Sequence, residues 1–279
     1  MITGLLEDRA PRVGCGTELS DASSISAGGA WPRVCAAFAA GQRTSQGLRR
    51  LRAVREIVET LGPVDGRYFA QLVRAWDDSL LGNEAFLRVD AWGGPLRWPG
   101  LLLGTAASHS PTSLRYLAHA LWLRREGVVR PQGRIVEIGV GFGGLAAMNA
   151  LVSQATTLLV DLPQVELAAA KMLQETGVDE FCRTRDDAVE NADYCVVSNY
   201  AFTELAADVQ AEYFDRYIRH APRGVIISNA NVFGRSIGGR SDEELLSWFQ
   251  REGLSATFER SCEILGPADR LCQVGLIRW

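Results

Sequence analysis

The chain is poor in the residues that most metal and nucleic-acid sites require. It has three histidines among 279 residues, and none stands at ligand spacing from a cysteine. The six cysteines are Cys15, Cys35, Cys182, Cys195, Cys262 and Cys272. They form no C-x-x-C pair, which argues against a zinc site. No acidic pair suits octahedral magnesium, so no metal is expected. Lysine is almost missing: Lys171 is the sole one, set against many arginines, a bias of composition rather than of chemistry. The formal net charge of −4 leaves no basic footprint for nucleic acid. No apolar run approaches the ~18 residues of a membrane span. The N-terminal stretch carries Glu7 and Asp8 and lacks the basic–apolar–cleavage pattern of a secretory signal. Several cysteines lie in apolar, strand-like runs, where they behave as small hydrophobes. Reduced thiols and the missing leader both point to a cytoplasmic protein.

What is present is an ordinary globular composition, 47% hydrophobic and 22% charged. The length suits one core domain with an added region. Residues 1–45 are rich in Gly, Ser, Ala and Asp early on and read as a mobile or loosely packed arm, with a short helix at 31–41. Between 46 and 130 the rhythm is helical. Leu48, Leu51, Val54, Ile57, Val58 and Leu61 predict a helix over 46–61, stopped by Gly62-Pro63. A second helix is expected over 66–81, a turn-rich connector over 90–104, and a strong helix over 112–126, opened by Ser110-Pro111 and closed by Gly127. This region is a candidate cap and dimerisation surface.

From 131 to 279 strands and helices alternate. Strands are expected at 135–139, 157–161, 180–184, 193–198 and 224–228, with helices at 143–153, 164–176, 206–219 and 242–252. Ser241 and Glu244 form a capping box for the last of these. Alternation of this kind builds a parallel sheet with helices on both faces, a Rossmann-like doubly wound fold. Two final strands, 255–264 and 271–278, suggest an antiparallel pair at its edge. A glycine-rich loop is expected after 228.

The most informative stretch is Arg-Ile-Val-Glu-Ile-Gly-Val-Gly-Phe-Gly-Gly at 134–144. A β-branched run meets Gly139, Gly141 and Gly144 in G-x-G-x-x-G spacing, and a helix follows. Such glycines allow a sharp turn and the close approach of a ligand or helix. The second strand ends at Asp161, 22 residues after Gly139, where a carboxylate accepts from ribose hydroxyls. Leu162 is placed to pack on a flat base, and Asp187 with Ala188 to meet its edge. Glu137 is unusual: a carboxylate inside a buried strand needs a partner. It suits a cationic ligand, such as the sulfonium and amine of S-adenosylmethionine, better than a dinucleotide.

At these residues the chain resembles class I S-adenosylmethionine-dependent methyltransferases. Ile135-Val-Glu-Ile-Gly-Val-Gly-Phe-Gly143 is similar to their first motif. Asp161-Leu162-Pro163, Ser198-Asn-Tyr-Ala-Phe-Thr-Glu-Leu205 and Pro111-Thr-Ser-Leu-Arg-Tyr116 resemble, more narrowly, the sugar O-methyltransferase family. The resemblance covers roughly 110–235. It implies a seven-stranded sheet whose last strand is antiparallel, and direct in-line methyl transfer. Val140 and Phe142 depart from the family's common G-G-G-Y-G-G. Position by position, the resemblance places Gly139 and Gly141 along the methionine and ribose, and Asp161 on the ribose hydroxyls. It places Leu162 against adenine and Asp187 and Ala188 at the adenine edge. Ser198 and Asn199 fall near the methionine amine, and Arg115 and Tyr116 near its carboxylate.

For the chemistry, transfer to a hydroxyl needs an aligned nucleophile and usually a base. His109, in the loop before the strong helix, is the best histidine candidate. His119 reads as a structural helix residue and His220 as a helix cap. Tyr200 and Glu204 follow the fourth strand, where substrate is expected. Asn229 and Asn231 follow the fifth and offer amides to a polyol. The implied activity is O-methylation of a small hydroxylated acceptor, a sugar or secondary metabolite. The rivals are an NAD(P)-dependent oxidoreductase and a non-catalytic cofactor-binding regulatory module.

Overall fold

The structure, a computed structural model, describes residues 26–184 and 193–279. The expected loosely packed arm includes, from residue 30, a helix α1 (Ala30–Ala39) whose Trp31, Cys35 and Phe38 are buried. Residues 1–25, with Cys15, lie outside the described residues.

The helical region departs from the predicted pattern in instructive ways. No single helix covers 46–61. Gly47 is left-handed, a 3-10 turn spans Leu48–Arg50, and α2 is confined to Arg52–Arg55. The apolar spacing is helical, but tertiary contacts of Arg49 override it. The Arg49 guanidinium is 1% exposed and bonds the carbonyls of Asp90 and Trp92 and the hydroxyls of Ser110 and Ser113. Its Nε pairs with Glu59. A continuous helix would carry this side chain away from those partners. Pro63 does not stop a helix but starts one: α3 runs Pro63–Asp77 with proline in its first turn, where its missing N–H is harmless. The expected connector over 90–104 instead begins inside α4 (Glu84–Ala91), capped by Asn83, and holds α5 (Gly100–Leu103). An Asn directly before Glu84 was the signal for that missed helix. Next comes α6 (Pro111–Arg125), capped by Ser110. It is buried from Pro111 to Leu123, packed between α3 and an alanine-rich helix of the sheet domain.

The second half alternates as expected. The elements are β1 (Arg134–Ile138), α7 (Gly144–Ser153), β2 (Thr156–Val160), α8 (Pro163–Thr176), β3 (Cys182–Arg183), β4 (Tyr194–Asn199), α9 (Ala207–Tyr213), β5 (Arg223–Ser228), α10 (Ala230–Phe233), α11 (Asp242–Arg251), β6 (Thr257–Glu259), α12 (Pro267–Leu271) and β7 (Gly275–Arg278). The helix expected over 206–219 passes into a π-turn at Phe214–Ile218. The loop expected after β5 contains α10. The final pair is antiparallel but short, with α12 between its strands. The Gly266-Pro267 start of α12 explains why neither strand extends through 260–274.

The sheet order is β3-β2-β1-β4-β5-β7-β6. All neighbours are parallel except β7, which runs against both β5 and β6. The chain moves outward from β1 to β3, then returns to lay β4 beside β1. That reversal opens a crevice at the carboxyl ends of β1 and β4. The alternation of strand side chains divides the core. Val136, Ile138, Val196 and Ile226 face α9 and α11, while Ile135, Leu159, Val197 and Ile227 face the helical region. Glu137 shares parity with Ile135 and therefore lies on the face covered by that region.

Candidate functional site

The crevice holds an open cavity of about 910 Å³. Its floor is the glycine turn. Gly139 has φ +83° and Gly141 φ +55°, values that favour glycine. Gly139 N–H still donates to Val160 O at 2.8 Å, extending the β1–β2 ladder, and a Cβ on Gly139 would lie 1.9 Å from the Ala201 Cβ. The third glycine serves packing: a Cβ on Gly144 would meet the Tyr116 ring at 2.6 Å. Phe142 anchors the turn into the helical region. It stacks on Trp92, with centroids 5.9 Å apart, and lies under the Arg49 guanidinium at 4.5 Å.

Two carboxylates line the β1–β2 side. Glu137 is 3% exposed, beside Leu159 and Val197 in register. Its Oε2 has no hydrogen-bond partner among the described residues. Burial, then the charge of Asp161, holds its pKa well above the ordinary carboxylate range. Asp161 accepts from Leu162 N–H at 2.7 Å through Oδ1 and from Gly141 N–H at 3.3 Å through Oδ2. Burial still pushes its pKa up to about 6. Leu162 lines the same wall.

The cavity is also lined by Arg115, 5% exposed, with its Nε unpartnered among the described residues. Its guanidinium lies 5.3 Å from the Tyr116 ring and 5.5 Å from the Tyr200 ring. Among the described residues no carboxylate forms an ion pair with it. Burial opposes its charge, but Tyr200, Tyr116 and Asp269 outweigh this and raise its pKa. A buried cation lining a cavity without a paired carboxylate is costly unless another group meets its charge.

The β4 end supplies Asn199, Tyr200 and Glu204 to the cavity. Tyr200 has φ +72°, strained for a non-glycine residue. It is held there because its N–H donates to Ile227 O at 2.9 Å and its hydroxyl to Asp269 Oδ1 at 2.8 Å. Glu204 accepts from Asn229 Nδ2 at 2.6 Å, and burial raises its pKa.

Three expected site residues fall elsewhere. His109 is 1% exposed, its Nδ1 is 3.1 Å from Asp90 Oδ2, and it does not line the cavity; it belongs to the polar network around Arg49. Ser198 is fully buried behind the turn. Its hydroxyl donates to Ile138 O at 2.9 Å and accepts from Phe202 N–H at 3.0 Å, so it shapes the loop rather than facing a ligand. Asn231 is exposed on α10 and outside the cavity. Asp187 and Ala188 lie outside the described residues. The sequence reading also missed contributors from afar: Trp31, Val58 and Tyr213 in the cavity wall, and Asp269 behind Tyr200. Their contacts are long-range and leave no local pattern. No group of His, Cys, Asp and Glu suited to a metal occurs among the described residues. Nor is any helix among them long and apolar enough to cross a membrane.

A glycine turn after β1, an acid after β2, and a seven-stranded sheet with β7 reversed now stand together. The chain has the class I methyltransferase fold. Solved structures of this fold are similar to it. One is the geranyl diphosphate C-methyltransferase of Streptomyces coelicolor, in complex with Mg2+, geranyl diphosphate and S-adenosyl-L-homocysteine. It is 15% identical, over 58% of this chain and 77% of its own, with a TM-score of 0.44. Another is a protein of Nostoc punctiforme assigned by name as an O-methyltransferase, 13% identical over 77% of this chain and 71% of its own, TM-score 0.41. A third is the SAM-dependent methyltransferase of Geobacter sulfurreducens in complex with S-adenosyl-L-homocysteine, 17% identical over 57% of this chain and 71% of its own, TM-score 0.37. These likenesses are of fold alone. The sequence matches no family model and no curated protein.

Proposed function

We propose that this methyltransferase-type chain binds S-adenosylmethionine and transfers its methyl group to a hydroxyl of a small molecule, with a sugar or secondary metabolite as the acceptor class its sequence resembles. The observation that carries the reading is the buried Arg115, whose Nε has no hydrogen-bond partner among the described residues, lining one cavity with Asp161 and with Glu137, whose Oε2 is likewise unpartnered among them. A zwitterionic amino acid joined to a ribose satisfies all three: its carboxylate on Arg115 and Tyr116, its amine toward Asn199 and Glu137, its hydroxyls on Asp161. Leu162 then covers the base, and Gly139 and Gly141 leave room for the chain between. A nicotinamide dinucleotide has no amino-acid end, with ammonium and carboxylate together, to place between Glu137 and Arg115.

When bound, the cofactor supplies an electrophilic methyl on a sulfonium. The protein's part is alignment and proton removal. Glu204, fixed by Asn229, is the proton acceptor among the expected catalytic residues that line the cavity; Tyr200, whose hydroxyl donates to Asp269 and whose pKa burial raises, acts as a neutral wall beside it. Residues 131–279 carry the cofactor in this reading, and residues 46–130 cap it. That cap supplies Val58, Arg115 and Tyr116 to the wall and is the surface through which a homodimer would form.

Calorimetry tests the reading. The protein should bind S-adenosylhomocysteine, and also 5′-methylthioadenosine, which lacks the amino acid. Arg115→Met should weaken the first by about tenfold or more, the loss of a charged hydrogen bond, and leave the second unchanged. Wild-type protein that binds neither ligand overturns the proposal. Glu137→Gln should weaken S-adenosylhomocysteine by about tenfold while leaving the unfolding midpoint intact or raised, because the cost of burying an ionisable carboxyl is removed. Unchanged affinity in that variant removes Glu137 from the site.

A further inference from the structure

His119 lies mid-way along α6 and is 1% exposed. Its Nε2 is 3.1 Å from Ile264 O, and its Nδ1 is 3.2 Å from Asn199 Nδ2. A carbonyl can only accept, so Nε2 must carry a proton. Burial, reinforced by the Arg115 charge, lowers the ring's pKa to about 3, so the ring carries that proton alone. Nδ1 is left with a lone pair and can only accept. Asn199 therefore has to turn its NH2 group toward His119. The other end of the amide, Oδ1, has no protein partner among the described residues, and it is the acceptor that Asn199 offers to the cavity it lines. The tautomer is imposed from outside the site. Ile264 belongs to the segment between β6 and β7, the same segment whose Asp269 holds Tyr200.

We propose that His119 is a positioning residue that fixes the polarity of the Asn199 amide, making that end of the cavity selective for a primary ammonium. This rests on the cofactor reading above and assigns its amine recognition to a relay from Ile264 O through His119 to Asn199. A helix histidine that reads as structural thus sets which ligand charge the β4 end accepts.

Long-range 1H–15N correlation spectra of the wild-type protein report the tautomer directly. The neutral Nε2–H form is expected at pH 7; an Nδ1–H or doubly protonated ring overturns the proposal. Two variants separate positioning from packing. In His119→Asn the amide oxygen can stand near the place of Nδ1 and still accept from Asn199. In His119→Gln the longer side chain presents its amide near the place of Nε2 alone. S-adenosylhomocysteine affinity should fall about tenfold or more in His119→Gln and stay within about threefold in His119→Asn. Binding of 5′-methylthioadenosine should be unchanged in both. Equal losses in the two variants, or for the two ligands, would assign His119 to packing and overturn the proposal. Wild-type protein that binds neither ligand, with the Nε2–H tautomer in place, would remove the cofactor reading itself and this proposal with it.

Discussion

Gly139→Ala is expected to abolish measurable S-adenosylhomocysteine binding and to destabilise the fold by about 2–4 kcal/mol, the sum of left-handed strain and overpacking. At φ +83° a Cβ would stand 1.9 Å from that of Ala201. Neither side can yield easily. Gly139 N–H is tied to Val160 O, and the turn holding Ala201 is pinned by Tyr200 N–H on Ile227 O and by Phe202 N–H on the Ser198 hydroxyl. Relief has to come from the glycine turn moving, and that turn is the floor of the cavity. Gly141→Ala makes a useful comparison. Its Cβ would meet only the Val58 Cγ1, at 3.1 Å, so a smaller loss is expected. Urea unfolding and calorimetry on the two variants measure both effects. Wild-type affinity and midpoint in Gly139→Ala would show that the turn and Ala201 are not packed as described.

Asp161→Asn should divide binding from stability. Binding should fall at least about a hundredfold, because two charge-assisted bonds to ribose hydroxyls are weakened together. Stability should move the other way. Burial lifts the Asp161 pKa from 3.8 to about 6 in the folded chain. The folded state then holds the proton more tightly than the unfolded state, so this group favours folding below its unfolded pKa. That contribution is lost as pH rises through about 6. The unliganded protein should therefore lose stability from this residue between acid and neutral pH, by at most about 3 kcal/mol. In Asp161→Asn that part of the slope disappears, and the variant should outlast wild type in urea at pH 7.5 but not at pH 4. Glu137 and Glu166 are shifted in the same direction, Glu166 up to about 7, so some slope remains. A variant no more stable than wild type at pH 7.5, or one that binds S-adenosylhomocysteine within threefold of it, contradicts the assignment.

Much of this could be read along the chain because the decisive features are local. The Ile135–Gly144 run encodes a strand, a turn and a helix within a few residues. The alternation after it specifies the sheet, and the position of Asp161 follows from counting. Glu137 was legible as an anomaly for the same reason: a charge in a buried strand violates a local rule. Features that depend on distant partners were hidden. Arg49 looks like any surface arginine until Asp90, Trp92 and Ser110 gather around it. The apolar period of 46–61 is helical on paper, and this network breaks it. His109 stands before a strong helix in the sequence, yet Asp90, from a helix the periodicity does not reveal, takes it into the interior. Asn231 follows a strand in the sequence, but α10 turns it to solvent. His119 reads as a core histidine and is one; what it does there depends on Ile264, 145 residues away.

Phe142 has a consequence for how such a protein could change. The ring sits in the ligand turn but is held by Trp92, Arg49 and Tyr116, all from the helical region. A recombination event with its breakpoint near residue 130 would inherit a complete sheet and a complete glycine turn. It would also inherit a Phe142 whose packing partners came from another lineage. The two halves are therefore not interchangeable modules, although the element rhythm suggests a clean junction. Shuffling the helical half would carry the floor of the cavity along with it, and viable exchanges would have to keep Trp92, Arg49 and Tyr116 as a set.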